Sequence, residues 1–269
     1  MMTLACRKLD PHPQSPARHH SGPWLVWLHG LLGSGLDWLP VAELCGDYPS
    51  LLIDLPGHGK SAAETTCGFA DISRQLVQTL QANGIREYWL AGYSLGGRIA
   101  MYHACYGSHH GLQGLLVEGG NLGLESAELR EKRLQQDRLW GQRFRQEPLP
   151  QVLADWYQQD VFADLDPQQR EKLVLLRADN HGPSVADMLE ATSLGHQPWL
   201  LPALQRLTVP YTYLCGDRDH KFQQLAVQYQ LPLRTLARAG HNAHRANPGA
   251  FAAQVLSFLS QSSFLSLSR

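Results

Sequence analysis

The sequence has little charge of either sign. Only 17% of its 269 residues are charged, and 23 lysines and arginines almost balance 24 aspartates and glutamates. A chain so balanced offers no general positive field to nucleic acid or to an anionic membrane surface. Its 43% of hydrophobic residues is enough for a sizeable core, which excludes an intrinsically disordered chain.

Long apolar runs and paired cysteines are also missing. No apolar stretch reaches the roughly 20 residues that cross a bilayer, and the first residues, MMTLACRKLDPHPQ, lack the apolar segment of a signal peptide. The five cysteines are scattered and form no CxxC pair, so neither a disulfide framework nor a thiolate metal site is indicated. We expect a cytoplasmic protein with reduced thiols, without metal or cofactor and without nucleic-acid or membrane partners.

Short apolar runs alternate with helix-length stretches along much of the chain. Wholly apolar strands are typical of a parallel sheet covered by helices on both faces. Sites in such sheets lie beyond the carboxyl ends of the strands, and most of the runs are followed there by polar or glycine-rich residues. The pattern predicts an α/β fold with a mostly parallel central sheet. After a short first strand, the candidate strands are Trp24–Leu28, Leu51–Ile53, Tyr88–Ala91, Leu115–Val117, Tyr211–Leu214 and Leu233–Leu236.

Residues 121–205 break this alternation. They contain no convincing strand and several helical segments. One helix start is marked by Asp166 as N-cap, Pro167 at the first position and Gln169 completing a capping box. We interpret the region as a helical lid inserted over the strand ends, and we assign residues 1–120 and 206–269 to the core domain.

The segment Gly-Tyr-Ser-Leu-Gly at 92–96 lies between a predicted strand and a predicted helix. In that context the turn is so sharp that it lifts Ser94 above the sheet, at the positive end of the helix dipole. An oxyanion hole would use two backbone N–H groups, that of Leu95 and one from the loop after an earlier strand. The loop that begins at His29 supplies Leu31 for the second.

A serine nucleophile or base needs an imidazole and an orienting acid, which follow it along the chain in this kind of fold. His241, directly after the last predicted strand, is the candidate base, and His244 is its rival three residues later. Asp217 and Asp219 compete for the role of the acid. We favour Asp219 because it lies further along the loop, and interpret Asp217 as a turn cap.

These motifs together resemble the α/β-hydrolase superfamily over essentially the whole chain. The resemblance implies the fold and the triad but says little about the substrate, because one fold serves many functions. Among the motifs, DLPGHGKS is best interpreted as a structural turn. The motifs are His-Gly at 29–30, DLPGHGKS at 54–61, GYSLGG at 92–97, GDRD at 216–219 and Gly-His at 240–241.

Arginines at unexpected positions narrow the range of possible substrates. Arg98 lies four residues after Ser94 on the same helix face, so a cation stands one turn from the serine. It either pairs with a nearby acid or binds an anionic substrate. The lid has nine basic and thirteen acidic residues between 121 and 200, so individual arginines, not a general field, would bind anions there.

Two lid arginines share helix faces with apolar residues. Arg177 shares a face with Leu173, four residues earlier. An arginine in an apolar stripe either extends its head to solvent or faces a cavity that contains an anion. Trp156 would line the same pocket or belong to the core of the lid. Arg133 falls within a stripe formed by Leu129, Trp140 and Phe144.

Further segments resemble one family within the superfamily, the 2-succinyl-6-hydroxy-2,4-cyclohexadiene-1-carboxylate synthases of menaquinone biosynthesis. The resemblance implies Ser94, Asp219 and His241 as the triad. It also implies Arg98, Arg133 and Arg177 as carboxylate ligands, with Tyr93 and Trp156 lining the pocket. The matching segments are GYSLGGR (92–98), VEGG (117–120), ADWYQQ (154–159), LEATSL (189–194), YLCG with the following RD and KF (213–222) and AGHNAHR (239–245).

The resemblance further implies a lyase. Ser94, relayed by His241, would remove a ring proton from 2-succinyl-5-enolpyruvyl-6-hydroxy-3-cyclohexene-1-carboxylate, and pyruvate would leave. The partner is then a small polycarboxylate, and we expect a monomer or weak homo-oligomer. The alternatives are a serine esterase, a thioesterase or a C–C hydrolase acting on an anionic substrate. A binding protein without activity would need none of the triad.

Overall fold

A computed structural model describes residues 3–15 and 22–267, with side chains up to residue 262. Its centre is a seven-stranded sheet in the order β1-β3-β2-β4-β5-β6-β7, in which β1 is antiparallel to β3 and all other neighbours are parallel. The predicted α/β fold with a mostly parallel sheet is confirmed. The strands are β1 (Cys6–Leu9), β2 (Trp24–Leu28), β3 (Ser50–Ile53), β4 (Tyr88–Tyr93), β5 (Leu112–Glu118), β6 (Tyr211–Gly216) and β7 (Leu233–Leu236).

The helices follow the predicted pattern closely. One of the helix-length stretches between the predicted strands, residues 71–83, forms α2, which begins two residues earlier and ends one residue earlier. Helix α6 begins at the predicted capping box of Asp166 and Gln169. The helices are α1 (Leu39–Leu44), α2 (Phe69–Ala82), α3 (Leu95–Tyr106), α4 (Ala127–Gln146), α5 (Leu149–Trp156), α6 (Pro167–Arg177), α7 (Gly182–Ala191), α8 (Leu201–Leu204), α9 (His220–Gln228), α10 (Ala243–Ala246) and α11 (Pro248–Leu267).

Alternate residues of the strands point into two separate apolar cores. In β2, Val26 and Leu28 join a core with α2, α3 and α8, whereas Leu25 and Trp27 join the opposite core with α1 and α11. This division follows from the two-residue period of a strand. Because both faces are covered, each strand can be wholly apolar, and only its carboxyl end is free to carry polar groups.

Helices α4 to α7 have an apolar core of their own, which includes Phe144, Val152 and Val185 and reaches the main domain at Leu32. We call these four helices the lid helices. Between β5 and β6 the described chain contains no strand. The domain limits of 121 and 205 stay a prediction, and α8, inside them, packs against α3 in the main core.

One residue of the predicted α4 stripe is exposed. Leu129 is 52% exposed, so the expectation that it belongs to the apolar face is wrong. It stands in the first turn of α4, whereas the buried residues of that helix are Asp137, Gly141 and Phe144 in the later turns. Those turns contact α7, and the first turn extends beyond that contact.

Candidate active site

Ser94 occupies the sharp turn between β4 and α3. Its φ of 50° and ψ of −108° place it in a strained left-handed conformation. A side chain on Gly92 would lie 2.3 Å from the carbonyl oxygen of Gly96, and one on Gly96 would lie 2.3 Å from the carbonyl oxygen of Leu28. Glycine is therefore required on both sides of the serine, and the turn raises Ser94 at the positive end of α3.

Asp219 and His241 are in direct contact after β6 and β7. Asp219 Oδ2 lies 2.8 Å from His241 Nδ1, and Oδ1 accepts the N–H of Phe222 at 3.3 Å as the N-cap of α9. The carboxylate and the imidazole are 5% and 4% exposed. Phe222 stacks on the imidazole with ring centroids 4.9 Å apart. Such a buried carboxylate fixes the orientation of the ring.

Asp217, the alternative acid, binds backbone groups and not the His241 ring. Its two oxygens accept the backbone N–H groups of Arg238 and Ala239 at 2.9 and 3.0 Å. The side chain is thus a cap of the turn before the catalytic loop, as the sequence indicated. His244, the alternative base, lies against Glu118 and away from Asp219.

Ser94 and His241 lie at the same edge of the sheet. The ring of Tyr93, the neighbour of Ser94, is 5.2 Å from the His241 ring. A side chain on Gly119, at the end of β5, would lie 2.7 Å from His241 Cε1. Among the described hydrogen bonds none involves Ser94 Oγ, and catalytic hydrogen bonds of ligand-free enzymes often tighten only with substrate.

The loop after β2 approaches the serine through Gly30, whose missing Cβ would lie 3.6 Å from Ser94 Cβ. The Gly30 carbonyl accepts from His29 Nδ1 at 2.7 Å and from the N–H of Gly33 at 3.0 Å. A trans peptide is planar, so the N–H of Leu31 points to the opposite side of the same unit. The orientation of this predicted oxyanion donor is thereby set by a hydrogen-bonded carbonyl.

The backbone of the next residue, Leu32, is held by two side chains that the sequence did not single out. Leu32 has a φ of 68°, unusual for a bulky residue. Its N–H donates to His58 Nε2 at 3.0 Å, and its carbonyl accepts from Asn180 Nδ2, between α6 and α7, at 3.0 Å. His58 belongs to the segment at 54–61, so that motif braces the oxyanion loop, in keeping with the structural role predicted for it.

Both loop histidines are neutral. Burial lowers the pKa of His29 to about 4 and that of His58 to about 3. Each Nε2 accepts a backbone N–H, from Leu55 to His29 and from Leu32 to His58, so each Nδ1 carries the proton. Protonation of Nε2 would remove these acceptors and place a charge in the core.

We therefore expect acid to unfold the protein. The unfolded histidines bind protons near pH 6.5 and the folded ones only near pH 4 and 3. The stability that these two neutral histidines provide is complete above pH 6.5. It is lost as the pH falls from 6.5 towards the folded pKa values of about 4 and about 3, by about 1.4 kcal/mol for each unit of difference between the unfolded and the folded pKa of each histidine. Urea unfolding at pH 7, 6 and 5 measures this fall in the free energy of unfolding. His58→Gln, which keeps an acceptor without a titrating ring, should flatten the dependence. An identical slope in the variant would contradict the assignment.

Arg98 is a cation without a counter-ion among the described ion pairs. Burial, and next the charge of Arg133, lower its pKa to about 9. Its Nη2 donates to the Thr192 carbonyl, while its buried Nε has no hydrogen-bond partner in the described part of the chain. The guanidinium lies 5.3 Å from the ring of Phe69. None of the described ion pairs joins Arg98 to an acid, and the charge of Asp137 offsets only part of the fall in its pKa.

Arg133 is only partly neutralised. Its Nε donates to both oxygens of Asp137, at 2.8 and 2.9 Å, and the side chain is 31% exposed. After burial, the charge of Arg133 also contributes to the lowered pKa of Arg98, so the two arginines form a cationic region in which Asp137 is an opposing charge.

Arg177 is engaged by a carboxylate of the protein. Its Nη2 lies 2.7 Å from Asp37 Oδ2, and Arg245 Nη1 lies 2.6 Å from Asp37 Oδ1. Burial opposes ionisation of Asp37, but the two arginines outweigh it and lower its pKa. Tyr157 lies close to Arg177 and, against the effect of burial and after Asp37, contributes to raising the pKa of the guanidinium. Two cations share one anion, so the cluster keeps a net positive charge.

Asp37→Asn should lower the unfolding free energy by roughly 3 kcal/mol, because it leaves buried Arg177 without its counter-charge. The side chains of Asp37 and Arg177 are 8% and 9% exposed. Arg245→Ala is the matched control, since it keeps that pair and removes a half-exposed one worth at most about 1 kcal/mol. Urea midpoints compare the two variants. Equal losses of unfolding free energy in the two variants would show that Asp37 stabilises the fold mainly through its ion pair with Arg245.

The two aromatic residues assigned to the pocket lie in different places. Trp156 packs on Trp140 and Phe144 of α4, with ring centroids 5.0 and 5.6 Å away, as the core of the lid requires. Tyr93 is 9% exposed, and its hydroxyl donates to Asn242 Oδ1 in the loop of His241. Tyr93 therefore contacts the loop of His241 (residues 239–245, which we call the base loop) as well as the serine.

Nothing in the described chain suggests a metal site, since it contains no cluster of three histidine, cysteine or acidic side chains suited to one. Across residues 3–15 and 22–267, no helix has the length and apolarity needed to span a membrane.

The chain is similar to known proteins over its whole length. Residues 23–245 match the α/β-hydrolase fold family. The chain is 86% identical to 2-succinyl-6-hydroxy-2,4-cyclohexadiene-1-carboxylate synthases of Yersinia pestis (strain Pestoides F) and Yersinia pseudotuberculosis serotype O:1b (strain IP 31758), with all of both chains covered. The solved structure of MenH from S. aureus matches with a TM-score of 0.86 at 26% identity, covering 97% of this chain and all of that one. A thermophilic esterase from Thermogutta terrifontis, at 18% identity, shares the fold with a TM-score of 0.78, covering 96% of this chain and 93% of that one.

Proposed function

The chain belongs to the α/β-hydrolase family and, within it, to the 2-succinyl-6-hydroxy-2,4-cyclohexadiene-1-carboxylate synthases, and we propose that Ser94, His241 and Asp219 carry out its reaction. Membership makes it a lyase of menaquinone biosynthesis acting on a small molecule. The residues that act, and how, are the substance of the proposal.

The reaction is an elimination. The substrate, 2-succinyl-5-enolpyruvyl-6-hydroxy-3-cyclohexene-1-carboxylate, has carboxylates on the ring, the succinyl arm and the enolpyruvyl ether. Ser94 Oγ takes a ring proton as its own proton passes to His241. The C2–H electron pair forms the C2=C3 double bond, the C3=C4 pair shifts to C4=C5, and the bond between ring carbon C5 and the enolpyruvyl oxygen breaks. The proton on His241 neutralises the leaving oxygen, and the enol becomes pyruvate. Water is not consumed, and no acyl-enzyme forms.

The observation that carries this proposal is the buried Asp219–His241 contact of 2.8 Å beside a serine held in a strained turn. A serine is a poor base in water, because its alkoxide is costly. Here an imidazole oriented by a carboxylate can take the serine proton, and the N-terminus of α3 favours negative charge on Oγ. The N–H groups of Leu31 and Leu95 would stabilise developing negative charge nearby.

Cations at two places support binding of a polycarboxylate. Arg98, whose Nε lacks a partner among the described groups, and Arg133 form the first. The Asp37 cluster, with Arg177 and Arg245, forms the second and keeps a net positive charge. Planar guanidinium groups bind carboxylates with two parallel hydrogen bonds. We propose Arg98 and Arg133 as the principal ligands, with Arg177 binding a carboxylate at the edge of its pair with Asp37 and Trp156 walling the pocket through the lid.

The test is the stoichiometry of the products. Enzymatically prepared substrate is supplied, pyruvate is measured with lactate dehydrogenase, and the conjugated diene is measured by its ultraviolet absorbance. We expect one diene for each pyruvate, well above the spontaneous rate, and turnover of p-nitrophenyl acetate below about 1% of that rate. Pyruvate without diene would identify an ether hydrolase, and rapid ester turnover alone an esterase. Either outcome overturns the proposal.

A monomeric or weakly associating enzyme in a reducing compartment completes the proposal. All five cysteines are unpaired, which supports the cytoplasmic location expected from their scattered positions. Size-exclusion chromatography with light scattering measures the association state.

A further inference from the structure

A second carboxylate–imidazole pair lies beside the triad and has no part in the proposed chemistry. Glu118 ends β5 and His244 lies in α10, and each is 1% exposed. Glu118 Oε2 is 2.7 Å from His244 Nδ1, although neither atom meets the geometry of a hydrogen bond to a described group. Burial of two ionisable groups is costly unless they are paired. The pair therefore requires an explanation beyond packing.

Glu118 contacts the serine and the base loop at the same time. Its backbone carbonyl accepts the N–H of Ser94 at 2.8 Å. Its side-chain Oε1 accepts the N–H of His244 at 3.0 Å. One residue thus joins the turn that holds Ser94 to the helix that begins two residues after His241.

The ring of His244 packs against a side chain that itself contacts the His241 ring. The His244 ring stacks on Trp38 with centroids 4.4 Å apart and lies 4.7 Å from the ring of Tyr93. Tyr93 contacts the ring of His241 and donates its hydroxyl to Asn242, the next residue. A shift of the His244 ring would therefore move Tyr93, and with it the contacts that Tyr93 makes with the catalytic imidazole and with Asn242.

We infer that Glu118 and His244 act as one unit that positions His241 relative to Ser94. The inference rests on the proposed role of the triad. Neither residue transfers a proton to the substrate. They fix the distance over which the proton of Ser94 passes to His241, a quantity to which rates are sensitive at the level of 1 Å. Substrate affinity depends on the arginines and should change little.

The test compares kcat and KM among variants of the pair. Glu118→Ala and His244→Ala should each lower kcat about tenfold or more, with KM within about twofold of wild type. The double variant should lose no more than the worse single variant, because residues that act as a unit are not additive. Glu118→Gln keeps an acceptor for the N–H of His244 and should recover most of the lost kcat. His244→Asn, a milder change, keeps an N–H towards Glu118 without the ring and should lower kcat about threefold.

His103→Ala is the matched control. His103 is 0% exposed and contacts Ser73 and Tyr88 at 2.9 and 2.7 Å, in a polar group of the core near the far end of α3. We expect its melting temperature to fall as that of Glu118→Ala does, while its kcat stays at the wild-type value below the transition. The inference is overturned if all folded variants of the pair keep the wild-type kcat, or if His103→Ala loses as much. An active Ser94→Ala would instead overturn the proposed function.

Discussion

Replacing Ser94 with alanine is expected to lower kcat for pyruvate release about a thousandfold, the contribution of a positioned proton-transferring group. Alanine fits the strained turn without new contacts and removes only the hydroxyl. The carboxylate-binding arginines remain, so the dissociation constant of the diene product, which keeps the ring and succinyl carboxylates, should change by no more than about twofold. Single-turnover pyruvate release, read with lactate dehydrogenase, and calorimetric binding of the product measure the two quantities separately.

Ser73 offers a control for this substitution. Its Oγ lies 2.9 Å from His103 Nδ1, so Ser73 is a serine in contact with an imidazole in the core, away from the candidate active site. Ser73→Ala should keep the wild-type kcat. Ser94→Ala at more than about a tenth of the wild-type kcat would remove serine from the role of the base. His241 would then be the candidate to remove the ring proton directly.

Replacing Arg98 with alanine is expected to lower kcat/KM about a hundredfold, through both a higher KM and a lower kcat. The loss of one partner of a buried carboxylate–guanidinium contact costs several kcal/mol. Arg98 also lies one turn from Ser94. Without it the substrate ring is no longer held in one orientation, so the C–H bond that reacts is less often placed against the Ser94 hydroxyl. Steady-state kinetics on the natural substrate separate the two contributions.

Stability distinguishes a ligand from a structural arginine. Arg98 is a buried cation without a counter-ion among the described side chains, so its removal should leave the unfolding midpoint unchanged or raise it. Arg98→Lys should recover little activity, because an ammonium cannot form the paired hydrogen bonds. Arg138→Ala, on the exposed side of α4, is the control and should be fully active. A destabilised Arg98→Ala with unchanged KM would assign the residue to the fold.

The strands and the order of site residues could be predicted from the sequence because they depend on neighbours along the chain. Apolar runs form the buried strands, and the glycines at 92 and 96 are needed for a local turn whose close approaches the structure shows. Serine, acid and histidine each follow a strand, and strand ends of a parallel sheet meet at one edge. The exposure of Leu129 could not be predicted from its position in the stripe, since it depends on how α4 packs against α7.

Local pattern and strand order were enough to predict the α/β sheet, the serine turn and the residues that could form the triad. Which charges meet depends instead on how distant parts of the chain pack. Asp37 is 140 residues from Arg177 and 208 from Arg245, and Glu118 is 126 from His244. No local pattern connects such residues, because their contacts arise from how the lid helices and α10 pack on the sheet. That packing engages Arg177 with Asp37, leaves Arg98 without a counter-ion among the described residues, and places a second buried carboxylate beside the base.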